Sequence, residues 1–144
     1  MKGRIRRDDR GAALVEFALV AVLFLTLVFG VIEAGWLFSQ LTEVRNAARE
    51  GARLAVVDYG TATQVINETC DRADLSSTAA TVTVTRLPAG GPHESIQINI
   101  TKTYDSLTGF LDPIFQGITI ASDVEMRIER PLVSLSADGS AVCP

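Results

Sequence analysis

From residue 12 to residue 32 the chain reads AALVEFALVAVLFLTLVFGVI, an apolar run of 21 residues with one charge, Glu16. At about 1.5 Å of rise per residue such a run crosses the ~30 Å hydrocarbon layer of a bilayer. Thr26 is its other polar residue, and a threonine in a helix returns its hydroxyl to the backbone. A buried helix of a soluble domain shows a polar face, and this one shows none. Five basic residues (Lys2, Arg4, Arg6, Arg7 and Arg10) precede it, which predicts a cytoplasmic N-terminus and an exported C-terminal part.

The pattern changes after residue 32 without a stop signal. Leu37, Leu41, Val44, Ala48, Ala52 and Ala55 recur in steps of three and four, which is the period of a helix. Arg45, Arg49, Glu50 and Arg53 fall largely off that stripe. The first proline is Pro88, so one helix is predicted over residues 12–58, about 70 Å long, stopping at Tyr59-Gly60. Gly30 and Gly35 mark an expected loosening point near the membrane exit, each weakening a helix by about 1 kcal/mol relative to alanine. Trp36, just past the apolar run, reads as a membrane-interface anchor. An apolar half that runs on into an amphipathic half suggests a shaft, not a simple anchor.

Residues 59–144 read as an exported body. A short helix is expected over TATQVINETCDRADL, with Val65, Ile66, Thr69 and Cys70 on one side. Residues 81–87 and 96–101 alternate strictly and are rich in β-branched side chains, the mark of half-buried strands. The turn-rich stretch 88–95 joins them as a hairpin loop. A third strand puts Ile118, Ile120, Val124, Met126 and Ile128 on one face, and Pro131 ends it. Residues 107–117 read as an apolar loop or helical turn over the core. Three strands with one apolar face need a cover, and the amphipathic half of the long helix supplies it. The fold class is therefore α+β, a long helix packed on a small antiparallel sheet of about three strands.

Composition and charge sharpen this picture. The chain has 144 residues, 47% hydrophobic and 21% charged, enough for one modest core and too apolar for intrinsic disorder. Residues 1–11 carry five basic and two acidic side chains, net +3, while the other eight basic and fifteen acidic give −7. A basic head on an acidic body forms no positive face, which argues against a nucleic-acid partner. One histidine, His93, leaves the common metal and triad sites out of reach, so no metal, no cofactor and no enzymatic activity is expected. His93-Glu94 reads as a solvated loop tip, and Asp71-Arg72-Ala73-Asp74 as a solvated helix end without metal-loop spacing. Ser134, Ser136 and Ser140 have no histidine nearby in sequence. The Asn67-Glu68-Thr69 and Asn99-Ile100-Thr101 sequons are of a kind frequent by chance. Cys70 and Cys143 are the only cysteines; in an exported compartment they read first as a disulfide, with two free thiols as the alternative on a polar tail.

Three segments together resemble a known family: RGAALVEFAL at residues 10–19, FGVIEAG at 29–35 and AAREGAR at 47–53. They are similar to the type IV pilin superfamily, most closely to the TadE-like pseudopilins or minor pilins of tight-adherence (Flp) pilus systems. The resemblance implies a pilin-like fold and removal of residues 1–11 as a leader by a prepilin peptidase, with Gly11 and Ala12 flanking the cut. It makes Glu16 the processing and assembly carboxylate. It also implies other pilins, an assembly platform and its secretion ATPase as partners, and membrane lipid before assembly. The location it implies is the inner membrane in a single pass, then the extracellular filament. The Glu33-Ala34-Gly35-Trp36 stretch departs from the family, where many relatives carry an aromatic residue and an arginine. The competing reading is a signal-anchored membrane protein whose exported domain binds a partner and never polymerises.

Overall fold

Asp9–Val56 forms one helix, α1, of 48 residues. The computed structural model describes residues 9–73, 75, 79–87, 94–109, 112–115, 117–129, 132, 134, 135 and 138–143. Residues 1–8 of the leader, the hairpin tip at 88–93 with His93, and Asp74, Ser136 and Pro131 lie outside the described residues. No break occurs at Gly30 or Gly35, contrary to the loosening point expected there. Two glycines cost a helix about 2 kcal/mol, too little to interrupt a helix interior in which each N–H has a partner four residues back. The Thr26 hydroxyl donates to the Val22 carbonyl at 2.8 Å, so the polar atom in the apolar run is satisfied within the helix.

The helix ends in a paired-carbonyl cap rather than at a glycine. Tyr59 N–H donates to Leu54 O at 3.2 Å and Asp58 N–H to Ala55 O at 3.3 Å, with Asp58 in the left-handed region at φ 57°. The Asp58 carboxylate then accepts the backbone N–H groups of Ser134 (2.9 Å) and Leu135 (3.2 Å), which ties the C-terminal segment to the top of the shaft. Ala62–Arg72 is α2, opened by a capping box in which Thr61 and Gln64 satisfy each other's backbone N–H. Its buried side is Ala62, Val65, Ile66, Thr69 and Cys70.

The sheet has four strands: β1 (Thr81–Leu87), β2 (Ser95–Thr103), β3 (Thr119–Arg127) and β4 (Gly139–Val142). Their order is β3-β2-β1-β4, and each neighbouring pair is antiparallel. Helix α1 covers β2 and β3, while α2 covers β1 and β4. Val82, Val84, Ile96, Ile98, Ile100 and Ile120 face these helices and are buried. On the helix side Val44, Ala48, Ala52 and Ala55 are buried, and Leu37 and Leu41 are partly so, which is the stripe that the periodicity picks out. The short helix α3 (Asp112–Phe115) presses the Phe115 ring edge-on to Tyr104, with ring centroids 6.1 Å apart.

The fourth strand is the departure from the three expected. Its sequence, GSAV, is too short and too small to show an apolar alternation. It pairs through backbone with residues 81–84 of β1, where side-chain bulk is a handicap. A Cβ on Gly139 would come within 2.8 Å of the Ala62 Cβ.

Gly51 marks a second close approach. A Cβ there would lie 2.9 Å from Thr69 Oγ1 and 3.4 Å from Ile98 Cγ2. Thr69 cannot easily turn away, because its hydroxyl donates to Val65 O at 2.7 Å. Gly51→Ala is expected to destabilise the body, because an overpacking cost of about 1–3 kcal/mol exceeds the ~1 kcal/mol gain in helix propensity. Gly51→Val should cost more. Gly35→Ala, with nothing within 4 Å of its Cβ, should be neutral or stabilising. Urea midpoints of the three variants check the contrast.

Candidate functional site

The part of α1 below the body is bare. Residues 11–20 are all exposed, and the most apolar stretch of the helix is nowhere covered by the body. Phe17, Leu23 and Phe24 are 71%, 72% and 63% exposed, an apolar surface far larger than a water-soluble protein leaves open. Gly11, Ala12 and Glu16 lie on this bare half, and Glu16 makes no hydrogen bond or ion pair among the described residues. Ala12 and Glu16 stand four residues apart, so both lie on one face of the helix, about 6 Å apart along its axis. By length and composition this helix is able to cross a membrane.

Where the apolar run ends, a collar from the body closes on the helix. Glu33 is buried, and four donors converge on its carboxylate. They are the Tyr104 hydroxyl, the Leu107 N–H at 3.1 Å, the Thr108 hydroxyl at 2.9 Å and the Thr108 N–H at 3.4 Å. The Tyr104 hydroxyl above all, with the Ser106 and Thr108 hydroxyls and the Leu107 N–H, holds the Glu33 carboxyl down to about 2, well below its ordinary 4.5. Burial, and then the Glu33 carboxylate, push the Tyr104 phenol up.

One turn and two turns further along the same face, Trp36 Nε1 (2.9 Å) and Gln40 Nε2 (2.6 Å) both donate to Asp105 O. Gln40 Oε1 also accepts the Asp105 N–H at 3.4 Å, so the side-chain amide pairs with one residue's backbone as a neighbouring strand would. Trp36, 38% exposed, thus binds the body with its indole N–H and leaves part of the ring open.

Glu33, Gln40 and Lys102 are the polar residues that sequence reasoning missed. Glu33 and Gln40 continue the buried stripe toward the membrane, and that register is the signal that was available. Lys102 sits on the buried face of β2, 4% exposed, with its ammonium 3.6 Å from the Glu43 carboxylate. Its strand parity pointed inward. No buried side-chain polar atom among the described residues lacks a partner.

Cys70 and Cys143 are joined by a disulfide that spans 73 residues and fastens the end of β4 to α2. A groove of about 310 Å³ runs between α1 and α2. Its charged residues are already matched: Glu50 takes Arg53 at 2.7 Å and Arg72 at 2.8 Å, and Arg72 takes Glu68 at 2.6 Å. Arg53 is the larger cause holding the Glu50 carboxyl down to about 2. Glu94 pairs with Arg86, and Ser140 with Thr83 at 2.8 Å. Among the described residues no group of histidine, cysteine, aspartate and glutamate is placed to hold a metal ion.

A long apolar helix, bare below and latched above to a small antiparallel sheet, makes this an α+β protein whose apolar helix fits a single-pass membrane anchor. Residues 11–53, which include Glu16, Glu33 and the AAREGAR segment, match the family model described as TadE-like protein. No curated protein and no solved structure matches the chain. The matched segment stops three residues before the end of α1, so the match describes the shaft and says nothing of the sheet.

Proposed function

We propose that the protein is a pseudopilin or minor pilin of a tight-adherence pilus, a structural subunit whose work is packing. A prepilin peptidase removes residues 1–11, and Ala12 becomes the new N-terminus. The subunit waits in the inner membrane with its N-terminus cytoplasmic and its acidic body exported. An assembly platform driven by a secretion ATPase then moves it among other pilins into a filament that serves adhesion or secretion. The observation that carries this reading is the position of Glu16: a lone carboxylate on an otherwise apolar, uncovered stretch, one turn from Ala12.

The chemistry follows from the new terminus. Cleavage creates an ammonium on Ala12 that is to be packed among hydrocarbon side chains. An unpaired charge in such surroundings is costly, and a carboxylate of the same or a neighbouring subunit offsets it while fixing the axial stagger. Small residues such as Ala18, Ala21 and Gly30 let neighbouring helices approach closely. An α+β body on the shaft suits an accessory subunit.

The test is incorporation. Glu16→Ala should insert into the membrane at the wild-type level and be lost from sheared filaments. Glu16→Ala found in filaments at the wild-type level would remove the role assigned to this carboxylate and favour an anchored domain that does not polymerise.

A further inference from the structure

We infer that the 104–109 collar is a membrane-docking surface, with Leu107 seated in the interfacial layer of the bilayer. The inference rests on the reading of α1 as a membrane helix. Its basis is height along that helix. Asp105 is bonded to Trp36 and Gln40, whereas Leu107 and Thr108 are bonded to Glu33. Seven residues of helix are about 10 Å, so the collar descends along the shaft toward the membrane as the chain runs from 105 to 108.

Leu107 is thereby fixed level with Glu33, one residue beyond the end of the apolar run. There the chain turns: Ser106 Oγ accepts the Gly109 N–H at 3.0 Å, and Gly109 takes φ +67°, a conformation that glycine adopts without strain. The Leu107 side chain is left 55% exposed near the turn's tip. Ile118, whose carbonyl accepts the Tyr104 N–H at 2.8 Å, is 37% exposed, and Ile32 on the helix 43%. Leu107, held beside Glu33, thus carries an exposed apolar side chain onto the body at the height where the apolar run of α1 ends.

The polar groups of the collar are already matched for such a place. Glu33 is saturated by donors, so its carboxylate reaches this depth with its hydrogen bonds made. The nearby charges, Asp105 on the collar and Asp112 at the start of α3, are acidic, and Lys102 is turned inward to Glu43. Anionic headgroups would repel this rim. The partner is a zwitterionic lipid surface met through apolar contact.

Two measurements on the full chain in phosphatidylcholine vesicles test this. The first places a single tryptophan in a Trp36→Phe background, at Leu107→Trp, Phe24→Trp or Tyr59→Trp, and reads quenching by lipid brominated high on its acyl chains. Quenching at 24 and 107 with none at 59 is the expected result. Quenching at 24 alone overturns the docking while leaving the anchor; absence at 24 overturns the anchor and the docking with it. The second needs no substitution. Under hydroxyl-radical labelling Leu107 should be modified several-fold less than Val57, which is similarly exposed on the protein itself at 62%. Equal modification of the two overturns the inference even if the tryptophan variants misfold.

Discussion

Replacing Cys70 and Cys143 together by serine is expected to lower the stability of the exported body by about 4 kcal/mol, the loop-closure value for a bridge spanning 73 residues. The loss should concentrate at one edge. Strand β4 has four residues, holds to β1 by backbone pairing, and packs on α2. Without the bridge its ties are that pairing, the Ser140–Thr83 hydroxyl contact at 2.8 Å, the Cys143 N–H bond to Ala80 O at 2.8 Å, the Arg86 N–H bond to the Asp138 carboxylate at 2.7 Å, and the Asp58 carboxylate upstream. Amide exchange should therefore quicken first in β4 and in the β1 residues opposite it, with β2 and β3 little changed. Urea unfolding of the wild-type protein with and without reductant, beside the double variant, checks the size. A midpoint that reduction leaves unmoved would contradict the stabilising role given to the bridge.

The second large effect is expected at the collar. Tyr104→Phe removes one hydrogen bond to a charged acceptor and should cost about 2 kcal/mol. Glu33→Ala should cost more than Tyr104→Phe, because it deprives the Tyr104 hydroxyl, the Leu107 N–H and both Thr108 donors of a common acceptor. The collar would then leave the shaft while the sheet below Gly51 stays folded. Exchange at the Leu107 and Thr108 amides reports this directly.

The same contact makes the collar sensitive to acid. The Glu33 carboxyl titrates lower in the folded protein, at about 2, than its ordinary 4.5. Its contribution is therefore fully present above about pH 4.5 and fades as the pH falls toward 2. Collar exchange should be flat from neutral pH to about 5 and rise below that. Glu33→Gln should abolish the rise, and that control separates Glu33 from Glu50, whose carboxyl is held equally low by Arg53 at an exposed site where such pairs contribute little.

The regular parts of this molecule were legible because their burial is periodic. The 3.6-residue stripe from Leu37 to Ala55 and the strict alternation in β1 and β2 are what a two-layer core requires of its sequence. The bare half of α1 was legible for a different reason, as a long apolar run with no polar face. What escaped notice is held by groups that periodicity does not register. Strand β4 pairs by backbone and one Ser140–Thr83 hydroxyl contact, and needs a small residue at 139. The collar is a set of hydrogen bonds between helix positions 33, 36 and 40 and backbone and hydroxyl groups some seventy residues away. Nothing local to either segment announces the other. Trp36, read from its place beside the apolar run as an interfacial anchor, also gives its indole N–H to Asp105, a partner that the local sequence does not name.

The continuity of α1 through Gly30, which lies within the apolar run, has a physical reason as well. Inside a bilayer each backbone N–H and C=O must be paired within the helix, so an unwound turn costs more there than in water. Glycine propensity measured in water therefore overstates the tendency to break.

Where the working protein begins decides whether Glu16 has an amine to meet. The most direct measurement is the intact mass, with N-terminal sequencing, of the protein recovered from its own membrane. Loss of residues 1–11 with Ala12 first is the predicted result, since that cut creates the ammonium that Glu16 answers. A chain that keeps its leader and starts at Met1 would contradict it, leaving a body tethered to the bilayer and no amine for the glutamate to meet.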